Sequence, residues 1–276
     1  MIEPMFHIFK GPISVLGTAT YSDATDVKSL IPDAGARRRM SRLIKMGVSV
    51  GMEALQQAGI DRPDAIITAT GLGFLSDSEK ILAQMIGPAE EGVPNSQERS
   101  DNSNAVPLGG LSAMSPTPFM QSTFNTIGSH LAIMTGCTGY NMTYSHRWYS
   151  MSNALLDATL LLTNREVETV LLVAADELTP TLENVELRMG MGRNGMPEPG
   201  EGATALLLSL PDKAQVLGKE IGQIADLFFI EGARKLHPEM SWCTQAAQVL
   251  AKSVTRRLPN IVETTGFSCI AQSSLE

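Results

Sequence analysis

Cysteine is scarce in this chain of 276 residues: Cys137, Cys243 and Cys269 are odd in number and widely spaced. Such a set excludes a disulfide scaffold and offers no zinc-ligand spacing, so no metal is expected. Charge is thin, and basic residues are the minority, 21 against 29 acidic ones. The net charge of −8 excludes nucleic acid as the main partner. Long apolar runs are missing as well: none reaches the ~20 residues of a membrane span. The opening Met-Ile-Glu-Pro-Met-Phe lacks the basic n-region of a secretory leader. These absences leave a globular, cytoplasmic protein with no metal and no cofactor as the expectation.

Hydrophobic patterning shows what is present. Residues 140–145 have the aromatic and β-branched content of a strand. Ser150 is placed to N-cap a helix in which Met151, Ala154, Leu155, Ala158, Leu161 and Leu162 recur at helical spacing. Residues 170–175 are a continuous apolar run, as in a strand covered on both faces. The unit is strand, tight loop, helix, strand, and its loop holds His146, Arg147, Trp148 and Tyr149.

The flanking chain alternates in the same way. A short strand is expected at 13–16, a polar loop over 22–33 and a long helix over 37–58. Gly47 and Gly51 in that helix point to close packing, because glycine lowers helix propensity without such a reason. Arg37, Arg38, Arg39, Arg42 and Lys45 gather at its start, either as a dock for an acidic carrier protein or a phosphate, or as a solvated face. A buried strand follows at 64–70, a helix at 77–86 capped by Ser76, and a loop rich in Pro, Gly, Asn and Ser over 88–112. Helices are expected at 124–135 and 182–188, and a strand at 203–210 with a turn at Pro211. Beyond it, strand is expected within 215–230, a helix over 241–257 and a last strand over 261–269.

Two motifs match by letters and fail by context. Gly47-Val-Ser-Val-Gly51, with Asp176 and His237 downstream, spells a serine-hydrolase elbow but falls inside a helix. Gly190-Met-Gly-Arg-Asn-Gly195 spells a dinucleotide fingerprint but follows no apolar strand and runs into Pro197 and Pro199.

Taken together, the Arg-Arg-Met-Ser helix start, the Ala-Gly-Ile turn at 58–60, the Gly-Leu after the second strand, Ser-Thr-Phe-Asn at 122–125 and the 139–177 unit resemble the β-ketoacyl synthases. The resemblance implies an α/β fold of the thiolase-like, layered α/β/α kind. Its first repeat would be complete over 1–212 and its second truncated to 213–276. In that family a cysteine sits in the loop before the central helix, where the helix N-terminus lowers a thiol's pKa. The matching position here is Trp148, which cannot be acylated, and Tyr149 has no activating base beside it in sequence. The family's second repeat also carries two histidines, whereas this chain has only His7, His130, His146 and His237, none in the expected stretch.

The resemblance therefore implies a non-catalytic, chain-length-factor-like subunit of type II fatty-acid or polyketide systems, nearest to those of aryl-polyene and flexirubin-type pigments. Its partners would be a full-length ketosynthase, or a second copy of itself, and an acyl carrier protein. Trp148, Tyr149, His146 and Arg147 would line the acyl tunnel. The alternative is an active condensing enzyme or acyltransferase using a displaced cysteine, Cys137 or Cys269. A structural remnant is a third reading.

Overall fold

A computed structural model describes residues 5–91, 116–192, 200–230, 260–264 and 267–272. Its strands are β1 (Met5–Thr20), β2 (Ala65–Ala69), β3 (Asn141–Tyr144), β4 (Thr169–Asp176), β5 (Gly202–Ser209), β6 (Gly222–Ile230), β7 (Asn260–Thr264) and β8 (Phe267–Gln272). They form one sheet in the order β3-β2-β4-β5-β1-β6-β8-β7. β3, β2 and β4 run parallel, and the remaining neighbours are antiparallel.

The helices are α1 (Val27–Leu30), α2 (Ala34–Arg39), α3 (Arg42–Ala58), α4 (Leu75–Glu91), α5 (Pro116–Gln121), α6 (Thr126–Thr135), α7 (Ser150–Thr163), α8 (Pro180–Arg188) and α9 (Pro211–Leu217). β4 explains why they lie on both faces, since all of its residues are buried. Val170, Leu172 and Ala174 enter a core with Met151, Ala154 and Leu155 of α7. The alternate residues Leu171, Val173 and Ala175 enter a second core with Leu43, Ile44 and Val48 of α3. The strand's period of two thus feeds two apolar layers, each large side chain contributing roughly 1.5–3 kcal/mol of burial.

The glycines of α3 have the expected role. A Cβ on Gly47 would stand 2.6 Å from Ile127 Cδ1, and one on Gly51 2.8 Å from Leu131 Cδ2. A methyl at either position would force the Ile127 or Leu131 side chain of α6 to shift.

Several local expectations need correction. The helix expected over 37–58 is two helices, because Met40 takes an extended ψ of 134° and Ser41 follows in the same region. The loop expected over 22–33 contains α1, whose N–H groups at Lys28 and Ser29 are capped by Asp26. β1 extends well beyond 13–16 because it is paired on both sides, to β5 and β6. α4 starts before Ser76, and Ser76 is capped rather than capping. The stretch at 124–135 is helical only from Thr126. Pro211 opens α9 instead of a turn, since a proline at the first helical position loses no bond, and β6 therefore begins at Gly222. The strand expected over 261–269 is a β7–β8 hairpin. α4 runs on to Glu91, so residues 88–91 of the loop expected over 88–112 are helical; the rest of that loop and the 241–257 helix lie outside the described residues.

Candidate functional site at the β3–α7 turn

The C-terminal ends of three parallel strands converge here, the position where open α/β sheets carry their sites. Asp176, buried at the end of β4, accepts the Gly71 N–H at 2.5 Å and the Thr70 hydroxyl at 3.3 Å. The Gly71 carbonyl accepts the Arg147 N–H at 3.0 Å, so the loop after β2 is clamped between β4 and the β3–α7 turn. Gly71 has little room: a Cβ would lie 3.2 Å from Asp176 Oδ1. Asp176 closes this clamp, and its only sequence signal is a carboxylate ending an apolar run.

The turn itself is a short 3₁₀ segment, Arg147–Tyr149, leading into α7. Arg147 holds a left-handed φ of 53°, a conformation that costs a non-glycine residue about 1–2 kcal/mol. Ser150 fixes it. Although expected to cap α7, this serine is the helix's first residue, and its fully buried hydroxyl makes no cap bond. Its Oγ accepts the His146 N–H at 2.6 Å and reaches the Thr70 carbonyl at 2.8 Å and the Arg147 carbonyl at 2.7 Å. One hydroxyl proton serves whichever carbonyl it faces. The hydroxyl is bonded to backbone, not to a base.

Trp148 lies in the 3₁₀ turn by its backbone; its side chain lies outside the described residues. Tyr149 is half-buried, and His146 and Arg147 are exposed. Ser145, His146, Arg147, Tyr149 and Asn153 line an open hollow of about 510 Å³. Asn153 Nδ2 stands 3.5 Å from His146 Nδ1. With the amide donating, Nε2 carries the imidazole proton.

The other sequence candidates lie elsewhere. Cys137 is buried just after the C-terminus of α6, its Sγ 3.7 Å from the Asp64 carbonyl. That helix end carries the negative pole, the wrong one for a thiolate. Cys269 is in β8, its backbone in register with β6 and β7; its side chain lies outside the described residues. His7 is on β1 and His130 on α6, where burial lowers the imidazole pKa. His237 lies outside the described residues. Gly47–Gly51 falls inside α3, and Gly190 and Gly192 take left-handed φ values in the turn after α8.

Of the basic group, Arg37 donates to the Pro32 carbonyl before α2, Arg38 donates to the Ala34 carbonyl at its start, and Arg42 pairs with Glu201. Beside the site, Glu177 Oε1 accepts the Ser76 N–H at 2.9 Å, and burial raises its carboxyl pKa, with Asp77 adding to the effect. Glu186 of α8 is raised to about 7, by burial first and by the Asp176 charge second. Among the described residues no group of side chains is suited to a metal, and no helix is long and apolar enough to cross a membrane.

Residues 108–223 match the β-ketoacyl synthase N-terminal domain. No curated protein matches the sequence. Among solved structures, the chain resembles one of AntDE:AntF, a type II polyketide synthase acyl-carrier protein in complex with its ketosynthase bound to the hexaketide. That likeness has 15% identity and a TM-score of 0.67, covering 96% of this chain and 100% of that one. It also resembles the ishigamide ketosynthase/chain length factor, at 15% identity and TM-score 0.57, covering 79% of this chain and 63% of that one. A third is the ketosynthase ApeO in complex with its chain length factor ApeC from Xenorhabdus doucetiae, at 16% identity and TM-score 0.57, covering 99% of both chains. At these identities the likeness establishes the fold, the thiolase-like α/β arrangement of ketosynthases. The β3–α7 turn, with Trp148 in it by its backbone, falls within the matched residues.

Proposed function

We propose that this ketosynthase-like chain is a non-catalytic, chain-length-factor-like subunit that pairs with a full-length ketosynthase. The observation that carries the reading is the β3–α7 turn, where a 3₁₀ segment with a left-handed residue leads into a helix and residues 145–150 include no cysteine. In the pair, the partner would supply the cysteine and histidines, and an acyl carrier protein would deliver the chain. Trp148, Tyr149, His146 and Arg147 would form part of the acyl-tunnel wall. The products proposed are of the aryl-polyene type, made in the cytoplasm, with the first repeat ending near residue 212, inside the first turn of α9.

β3 supports the pairing. Among the described residues it is the edge strand of the sheet, with Asn141 and Met142 exposed, and an edge of this kind invites a partner strand. A homodimer through the same edge is the other arrangement it allows.

Co-expression with a candidate full-length ketosynthase tests the reading. The two chains should co-purify in equal amounts. Incubation of the isolated chain with an acyl carrier thioester should leave its intact mass unchanged. An acyl adduct mapping to Cys137 or Cys269 would replace this proposal with the displaced-cysteine enzyme.

A further inference from the structure

We propose that the hollow over the β3–α7 turn is a carboxylate-binding site, with Arg147 as its anchor. The inference does not rest on the pairing proposed above. In a protein of net charge −8, this hollow is lined by Ser145, His146, Arg147, Tyr149 and Asn153 and by no acidic residue among those described. Every one of these side chains can donate a hydrogen bond. Among the described residues the Arg147 guanidinium has no hydrogen-bond or ion-pair partner, unlike Arg37, Arg38, Arg42 and Arg165.

The cation is also held in place. Arg147 is fixed by its own N–H to Gly71, by the Ser150 hydroxyl at its carbonyl, and by the His146 N–H on the same hydroxyl. A non-glycine residue kept at positive φ by such a clamp has its Cα–Cβ direction set by the turn rather than by solvent. The single guanidinium balances one negative charge, and its planar fork matches the two oxygens of a carboxylate. The Tyr149 and Ser145 hydroxyls are neutral donors, and the His146 ring lies beside them. They can complete the shell of a monoanion but add no charge to balance a dianion. A volume of about 510 Å³ admits a short acyl chain behind the carboxylate.

The test uses the whole isolated chain at constant ionic strength, with acetate, butyrate and inorganic phosphate as probes. Backbone amide NMR shifts should saturate for residues 145–153 with acetate and butyrate, with dissociation constants of about 1–10 mM. Phosphate should bind at least several-fold more weakly. Arg147→Gln should weaken carboxylate binding about tenfold or more, whereas Arg38→Gln, an exposed arginine elsewhere, should leave it unchanged. Shifts that never saturate, that survive Arg147→Gln, or that favour phosphate would each overturn the proposal. No ketosynthase is present in this assay, so its failure leaves the co-purification result standing, and the reverse holds too.

Discussion

Ser150→Ala removes one oxygen and should loosen the whole turn. If Ser150 were an exposed helix cap, the loss would be about 1 kcal/mol. Its hydroxyl is instead fully buried and joins three backbone groups from two segments, at 2.6, 2.7 and 2.8 Å. The single hydroxyl proton serves either the Thr70 or the Arg147 carbonyl, and the one that holds it loses its donor, at roughly 1–3 kcal/mol for an unsatisfied buried acceptor. The His146 N–H is only partly enclosed and regains some water, so its share is smaller. The expected total is about 2–4 kcal/mol, well above a lost cap. Urea denaturation at fixed m-value measures that sum. Amide exchange at His146 and Arg147 should accelerate by at least tenfold, while exchange in β4 should follow only the global change. A loss below about 0.5 kcal/mol with unchanged exchange at those two amides would refute the clamp.

The remaining expectations are brief. Gly47→Ala should cost about 1–3 kcal/mol despite alanine's better helix propensity, because the methyl meets Ile127. Ile127→Ala in the same chain should recover part of that cost, and a strictly additive double-mutant cycle in denaturant melts would reject the contact. Glu186 holds its proton to about pH 7 in the fold but not when unfolded. The native state then binds more protons, and stability should fall as pH rises from the ordinary carboxylate range to about 7. Glu186→Gln should flatten that decline, which thermal melts across the window would detect. Arg165→Gly relieves a left-handed φ of 57° at the expense of an exposed ion pair to Asp212, so stability should stay level or rise by about 1 kcal/mol. Trp148→Cys places a thiol at the start of α7, where its pKa should lie below the free value of about 8.5. Iodoacetamide alkylation followed against pH would show it.

Residues whose structure is set by local pattern were legible in the sequence. β4 could be read because both its faces are apolar, and α3 because its glycines needed a packing reason. The break at Met40 and Ser41 was hidden, since Met40 is buried and continues the apolar stripe across it. Asp176 and Ser150 were illegible as a clamp for a different reason. Their partners, Gly71 and Thr70, lie 105 and 80 residues away, and no periodicity records such pairings. The position of Trp148 came from the family resemblance, whereas the hollow beside it needed the turn's geometry.

The place of β1 in the sheet has a consequence for synthesis. β1 is flanked by β5 and β6, both made long after it, and Thr20 meets Thr204 across 184 residues. At translation rates of about 5–20 residues per second, β1 waits roughly 10–40 s for its first neighbour. Throughout that interval β2, β3 and β4 can assemble against their helices, while an apolar strand with both edges open trails from the ribosome. Chaperone capture of nascent chains should therefore concentrate on this strand and end as β5 emerges.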